Sequence, residues 1–139
     1  MFNLIVLALD GSDQSIKALK YAIGLAECSA ADLIIVHAYS HTSDLRGKEE
    51  YERLVAQRKS AGQKILDDAR AQLKNTDINV EENLLEGPAA EAILSVAKTR
   101  SADLIIMGTR GMGSLEGLLL GSVSTKVTRD APCTVMVVR

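Results

Sequence analysis

The chain has 139 residues, 47 % of them apolar and 24 % charged, and a formal net charge of −2 at pH 7. That length and balance describe one ordinary soluble domain, large enough to bury roughly 68 % of its unfolded surface without a metal or disulfide staple. With three tyrosines, one phenylalanine and no tryptophan, the composition excludes a nucleic-acid surface built on a basic stripe or stacking platforms, and no run approaches the roughly 18 consecutive apolar residues of a membrane helix.

Asn3 to Leu9 is a continuous apolar run, too short for a helix and rich in Leu, Ile and Val, which predicts a fully buried strand. Asp10-Gly11-Ser12-Asp13 breaks it. Ile16, Leu19, Ile23 and Ala26 then recur at helical spacing, with Ser12 or Asp13 placed to cap the first turn. Leu33 to Ala38 repeats the buried-strand pattern, and Tyr39 to Gly47 is a polar loop containing His41. Tyr51, Leu54, Ala61, Ile65, Ala69 and Leu73 mark a long amphipathic helix ending near Lys74. From Thr76 to Leu85 the pattern changes: Ile78, Val80 and Leu84 alternate with Asn79, Glu81 and Asn83, the signature of a half-exposed strand. Gly87-Pro88 opens a third helix with Ala90, Ile93, Leu94 and Ala97 as its buried face. Asp103 to Met107 is a fourth strand. A helix from about Ser122 to Asp130 is stopped by Ala131-Pro132, and Thr134 to Val138 forms a fifth, apolar strand.

Strands alternating with helices imply an α/β fold: one parallel sheet with helices on both faces. The order 2-1-3-4-5 would place the polar third strand in the middle, whereas 3-2-1-4-5 puts it at an edge and the apolar first strand at the centre, so 3-2-1-4-5 is expected. In that order the turn at Asp10 and the segment after Gly108 face one another across a crevice. The fifth strand is the other edge. It carries no charge before Arg139, and such an edge invites a second chain, which predicts a homodimer through residues 134–138 unless a loop or the C-terminus covers it. The first residues lack the basic region of a signal peptide, and Cys28 and Cys133 form no spaced metal pair. Both thiols are expected to pack as small hydrophobes in a reducing, cytoplasmic setting.

The crevice is where the chemistry collects. Met107-Gly108-Thr109-Arg110-Gly111-Met112-Gly113-Ser114 is followed by a run reaching Gly121-Ser122-Val123-Ser124. Glycines here are expected to supply positive φ and close approach, and a helix start supplies unpaired N–H groups and a favourable dipole, so the stretch reads as an anion cradle. The alternative is a flexible glycine-rich surface loop. Asp10, at the end of the central strand, is placed to meet a ligand, although it could also satisfy turn amides beside Ser12 and Asp13. Ser122 and Ser124 could equally be ordinary helix-start residues, Arg110 a solvated loop arginine, and His37 a packed histidine.

The spacing Gly108-x2-Gly111-x9-Gly121-Ser122, together with Val6 to Ser12, Val36-His37-Ala38 and Pro132 to Val138, resembles the nucleotide-binding branch of the universal stress protein family over essentially the whole chain, residues 1–139. The resemblance implies a Rossmann-like, adenine nucleotide alpha hydrolase-like 3-2-1-4-5 sheet. It also implies dimerisation through the last strand and ATP, or ADP or AMP, bound at the crevice with Mg2+. Carried over by position, Gly108, Gly111, Gly121 and Ser122 would hold ribose and phosphates through main-chain N–H groups, with Val123 and Ser124 completing the helix end. Asp10 would contact the ribose or help place a divalent metal, Ala8 and Ala38 would touch the adenine, and Met107 would flank the ribose.

A nucleotide-binding regulatory protein acting in a stress response through unidentified protein partners is the reading that follows. Binding would order the 108–122 segment and present partners with a different surface. Against an efficient ATP-cleaving enzyme stand the lack of a Gly-x4-Gly-Lys-Ser/Thr loop and of a residue positioned to activate water, so at most slow hydrolysis or autophosphorylation is expected. A dimeric interaction protein without nucleotide is the third reading; the intact glycines argue against it.

Overall fold

The computed structural model describes residues 1–41, 47–109 and 120–139. Along the chain run β1 (Leu4–Ala8), α1 (Asp13–Ser29), β2 (Asp32–Tyr39), α2 (Lys48–Gln72), β3 (Val80–Glu86), α3 (Ala89–Thr99), β4 (Leu104–Gly108), α4 (Ser122–Asp130) and β5 (Thr134–Val138). The strands form one sheet in the order β3-β2-β1-β4-β5, every pair parallel. This is the expected α/β domain.

Continuous apolar strands arise because both faces of the sheet are covered. Ile5 and Leu7 of β1, Leu33 and Ile35 of β2, and Leu104 and Ile106 of β4 pack with Ala18, Leu19 and Ala22 of α1 and Leu66 and Ala69 of α2. Their sequence neighbours Val6, Ile34, Val36 and Ile105 point the other way, onto Ala90, Ile93 and Ala97 of α3 and Val127 of α4. Full burial of each such Leu or Ile contributes about 2 kcal/mol. Among the described residues, no helix is long and apolar enough to cross a membrane.

Several local expectations shift. Residues 76–79 precede the third strand rather than belonging to it, because Thr76 turns back after α2: its N–H and its hydroxyl both donate to the Leu73 carbonyl, at 3.1 and 2.7 Å. Its alternation is also broken by Glu82, which shares a face with Val80 and Leu84 and meets Arg70 of α2 at 2.8 Å. The buried stripe of α2 is Gly62, Leu66 and Ala69, continued by Leu73, whereas Ala61 is exposed and Ile65 only half-buried. Gly62 sets that rotation. A Cβ there would lie 2.6 Å from His37 Cδ2 and 2.7 Å from Leu84 Cδ1, so only glycine lets the helix lie this close to β2 and β3. On α3 Val96 is buried and Leu94 half-buried, rather than Leu94 taking the inward position. Asp103 stays outside β4 because its carboxylate accepts from the Asn3 and Leu4 amides, at 2.7 and 2.9 Å, and these bonds hold its pKa below the usual aspartate value. Both cysteines are free, but Cys28 is exposed near the end of α1; the last turn of that helix turns it away from the sheet. Cys133 is half-buried against the α3–α4 core, and burial pushes its thiol pKa up.

Candidate functional site

A cavity of about 430 Å³ opens at the carboxyl ends of β1, β2 and β4, at the point where the chain leaves β1 for one neighbour and later returns on the other side. Nine of the ten positions singled out in the sequence line it. Ala8 and Asp10 come from the end of β1, Ala38 from β2, Met107 and Gly108 from β4, and Gly121, Ser122, Val123 and Ser124 from the start of α4. Gly111 and Arg110, with the rest of residues 110–119, lie outside the described residues, as does residues 42–46 of the polar loop.

Three helix starts border the cavity, those of α1, α3 and α4, Ala89 being the first residue of α3. At α1, Asp10 Oδ1 accepts from the Ser12 amide at 2.9 Å and Ser12 Oγ accepts from the Ser15 amide at 3.2 Å, while Ser15 Oγ donates to the Ser12 carbonyl at 3.0 Å. Gly11, with φ of 83°, makes the turn that allows this. Two amides at the start of α1, those of Ser12 and Ser15, are thus met by nearby side chains, and Asp10 does join the turn amides while also lining the cavity. The start of α4 differs. Its N-cap is Gly121, and among the described residues no side chain makes a capping hydrogen bond there. The nearby hydroxyls point at carbonyls instead: Ser124 Oγ donates to Thr109 O at 2.6 Å and Thr125 Oγ1 to Gly121 O at 2.8 Å. The first-turn amides of a helix have no partner within it, and those of α4 open on the cavity with the positive end of the helix dipole behind them.

The glycines act otherwise than expected. Neither Gly108 nor Gly121 has positive φ; among the described glycines only Gly11 and Gly47 do. Gly121 sits at φ −78°, ψ 175°, extended backbone open to any residue. At Gly108 a Cβ would stand 2.7 Å from Gln14 Cβ and 3.2 Å from the Ser15 amide nitrogen, so its missing side chain makes room for the first turn of α1. Thr109 forms a node beneath the cavity. Its amide donates to Val138 O at 2.8 Å, and its carbonyl accepts from Gly121 N at 2.7 Å as well as from Ser124.

Both histidines have partners. His37 Nδ1 lies 2.7 Å from the Leu9 carbonyl, which fixes the ring against the cavity wall, and His41 Nδ1 lies 2.6 Å from Glu86 Oε1. Lys126, the lysine of α4, is engaged by Glu91 of α3 at 2.5 Å, and that hydrogen bond lowers the Glu91 pKa. Sequence reasoning missed Tyr39, Ser40 and Arg58, which also line the cavity. The available signal was spacing: Arg58 is four residues before Gly62 and so shares its face of α2. Among the described residues no group of three or more His, Cys, Asp or Glu side chains is placed to hold a metal ion.

Comparison with known proteins agrees with this architecture. The profile of the Universal stress protein family matches residues 1–139. A Thermus aquaticus relative described as "Universal stress protein in QAH/OAS sulfhydrylase 3'region" is 42 % identical over 140 residues, covering 100 % of both chains. The fold superposes on a universal stress protein from Lactobacillus plantarum with a TM-score of 0.89 at 24 % identity, over 99 % of this chain and 98 % of that one. A universal stress protein solved in complex with cAMP gives a TM-score of 0.72 at 29 % identity, over 99 % of this chain and 97 % of the other. With this sheet order, this crevice and a full-length match, the chain belongs to the universal stress protein family.

Proposed function

We propose that the cavity binds an adenine nucleotide, ATP or its products ADP and AMP, and that the chain is a nucleotide-binding regulatory protein of the stress response. The observation that carries this reading is the start of α4: a helix N-terminus without a side-chain cap, opening on the same cavity as Asp10 and the ends of β1 and β2. Phosphates belong at such an end. Gly108, Gly121, Ser122, Val123 and Ser124, with Gly111, hold the ribose and phosphates; Met107 flanks the ribose; Ala8 and Ala38 border the adenine. The relative solved with cAMP supports the ligand class. Mg2+ arrives on the phosphates, with Asp10 the carboxylate nearest to help place it, in keeping with the preference of Mg2+ for one or two carboxylates plus phosphate oxygens.

Hydrolysis is slow at most. No described residue of the cavity is a base with an evident line to an attacking water, since His37 is turned onto the Leu9 carbonyl. The protein acts in the cytoplasm as a homodimer formed through β5, whose residues Val135, Met136 and Val137 are only half-buried with β4 as the one strand neighbour among the described residues. Calorimetric titration of ATP, with and without Mg2+, into wild-type protein and Gly121→Val is the test. Wild type is expected to bind and the variant to lose at least about a hundredfold in affinity, because its side chain fills the space before the α4 amides. Equal binding by both would remove α4 from the site, and binding by neither would leave the dimeric interaction protein.

A further inference from the structure

The end of the cavity opposite α4 is walled by Tyr39, the last residue of β2, and by Ser40, with His41 following as the chain leaves the strand. Backbone that runs past a strand end has no ladder to hold it, yet this segment is gripped from two sides. From α2, Arg58 Nη1 donates to the carbonyls of Ser40 and His41, both at 3.0 Å, and Lys59 Nζ stands 5.9 Å from the centre of the Tyr39 ring. From the end of β3, the Gly87 amide donates to Tyr39 O at 2.7 Å and Glu86 meets His41. Arg58 is itself held to the sheet by Gly62, one helical turn on, where α2 approaches His37 and Leu84 most closely.

Position separates Arg58 from the phosphate end. β2 is two strands from β4, about 10 Å at ordinary strand spacing, and α2 and α4 cover opposite faces of the sheet. A nucleotide with phosphates at α4 therefore lays its base toward Ala38, Tyr39 and Ser40. Resting on the nucleotide reading above, we propose that Arg58 is a positioning residue that fixes the 39–41 backbone as the wall against which the base sits, and is not a counter-ion for the phosphates. Both carbonyls are met by the one nitrogen Nη1, whose two N–H bonds lie fixed in the guanidinium plane, whereas a lysine ammonium rotates on a flexible stem.

The test is titration of adenosine, AMP and ATP into wild type, Arg58→Ala and Arg58→Lys, with thermal unfolding as the check on folding. The alanine variant is expected to weaken adenosine and ATP by the same factor, about five- to tenfold, and lysine to recover little of it. A loss that grows from adenosine to ATP and is restored by lysine overturns the proposal in favour of a phosphate contact; unchanged affinity in both variants overturns it outright. Wild type that binds none of the three sinks the nucleotide reading and this inference together, whereas wild type that binds beside an unaffected Arg58→Ala sinks this inference alone. If Arg58→Ala does not fold, Arg58→Lys carries the same comparison. A second readout needs no ligand: hydrogen exchange of the Gly87 amide, bonded to Tyr39 O, is expected to quicken several-fold in Arg58→Ala, and unchanged exchange counts against the grip.

Discussion

The first turns of α1 and α4 face one cavity and receive opposite treatment from the chain. At α1 a serine N-cap, an aspartate and a second serine answer one another, so the turn is closed before any ligand arrives. At α4 the N-cap is glycine, and the hydroxyls that could have capped it are turned onto the Thr109 and Gly121 carbonyls. Both helices carry the same dipole. On the proposed reading, cap chemistry is what separates the α4 start from that of α1, and a serine-rich beginning is not evidence of phosphate binding until the direction of its hydroxyls is known.

Among changes to the two caps, closing α4 in the way α1 is closed gives the largest expected effect. Gly121→Asp places a carboxylate where it can accept from the first-turn amides, and it should lower ATP affinity about ten- to a hundredfold through lost donors and charge repulsion. Thermal stability should hold or rise, since an Asp N-cap is a few tenths of a kcal/mol better than Gly and the backbone at residue 121 is ordinary extended chain. Calorimetry and a melting curve on the same sample check both halves; undiminished affinity would show that α4 is not the anion end.

Opening α1 is the complementary change. Ser12→Ala removes the cap on the Ser15 amide and should cost about 1 kcal/mol of stability, read by urea unfolding, with a smaller loss of ATP affinity than Gly121→Asp causes. If the two variants reversed that ranking, the assignment of the two helix ends would have to be exchanged.

The smallest effect lies at the far end of the sheet, where Asp103 accepts from the Asn3 and Leu4 amides as Asp10 does from Ser12. Those bonds depress its pKa in the folded state. A carboxylate with a depressed folded pKa stabilises fully above its unfolded value, about 3.9 for aspartate, and that contribution is lost as the pH falls through the folded value. Wild type and Asp103→Asn should therefore differ in unfolding midpoint near neutral pH and converge as the pH falls through the depressed folded value. Parallel curves down to acid would assign the difference to something other than this carboxylate. Exposure keeps the effect small.

Much of the fold was legible because burial on two faces writes itself as unbroken apolar runs in β1, β2 and β4, and because a polar β3 can only be an edge. The start of α4 was legible too, from Gly121-Ser122 before an amphipathic turn. What escaped depends on contacts between distant segments. Nothing local to α2 reveals that Gly62 must approach His37, so Ala61 and Ile65 are expected where Gly62 and Leu66 are buried, while Ala69 and Leu73 lie inward as expected. That Gly108 also makes room for Gln14 of α1 could not be read locally. The Arg58 contacts end on main-chain carbonyls, which leave no trace in residue type. Nine of the positions taken from the resemblance come together at one cavity because the strand ends and the helix start that carry them are placed by the sheet, whatever residues stand there.

The Thr109 node has a consequence for how this chain can vary. The segment between Thr109 and Gly121 departs and re-enters at one hydrogen-bonded point, itself tied to the last residue of β5. Its two ends are joined by the domain and not by the segment's own length, so each doubling of that length raises the closure entropy by only about 0.6 kcal/mol. Insertions or foreign sequence grafted between these two anchors should leave the sheet register untouched, so the chain can be rewritten there for a new ligand or partner while the strands stay as they are.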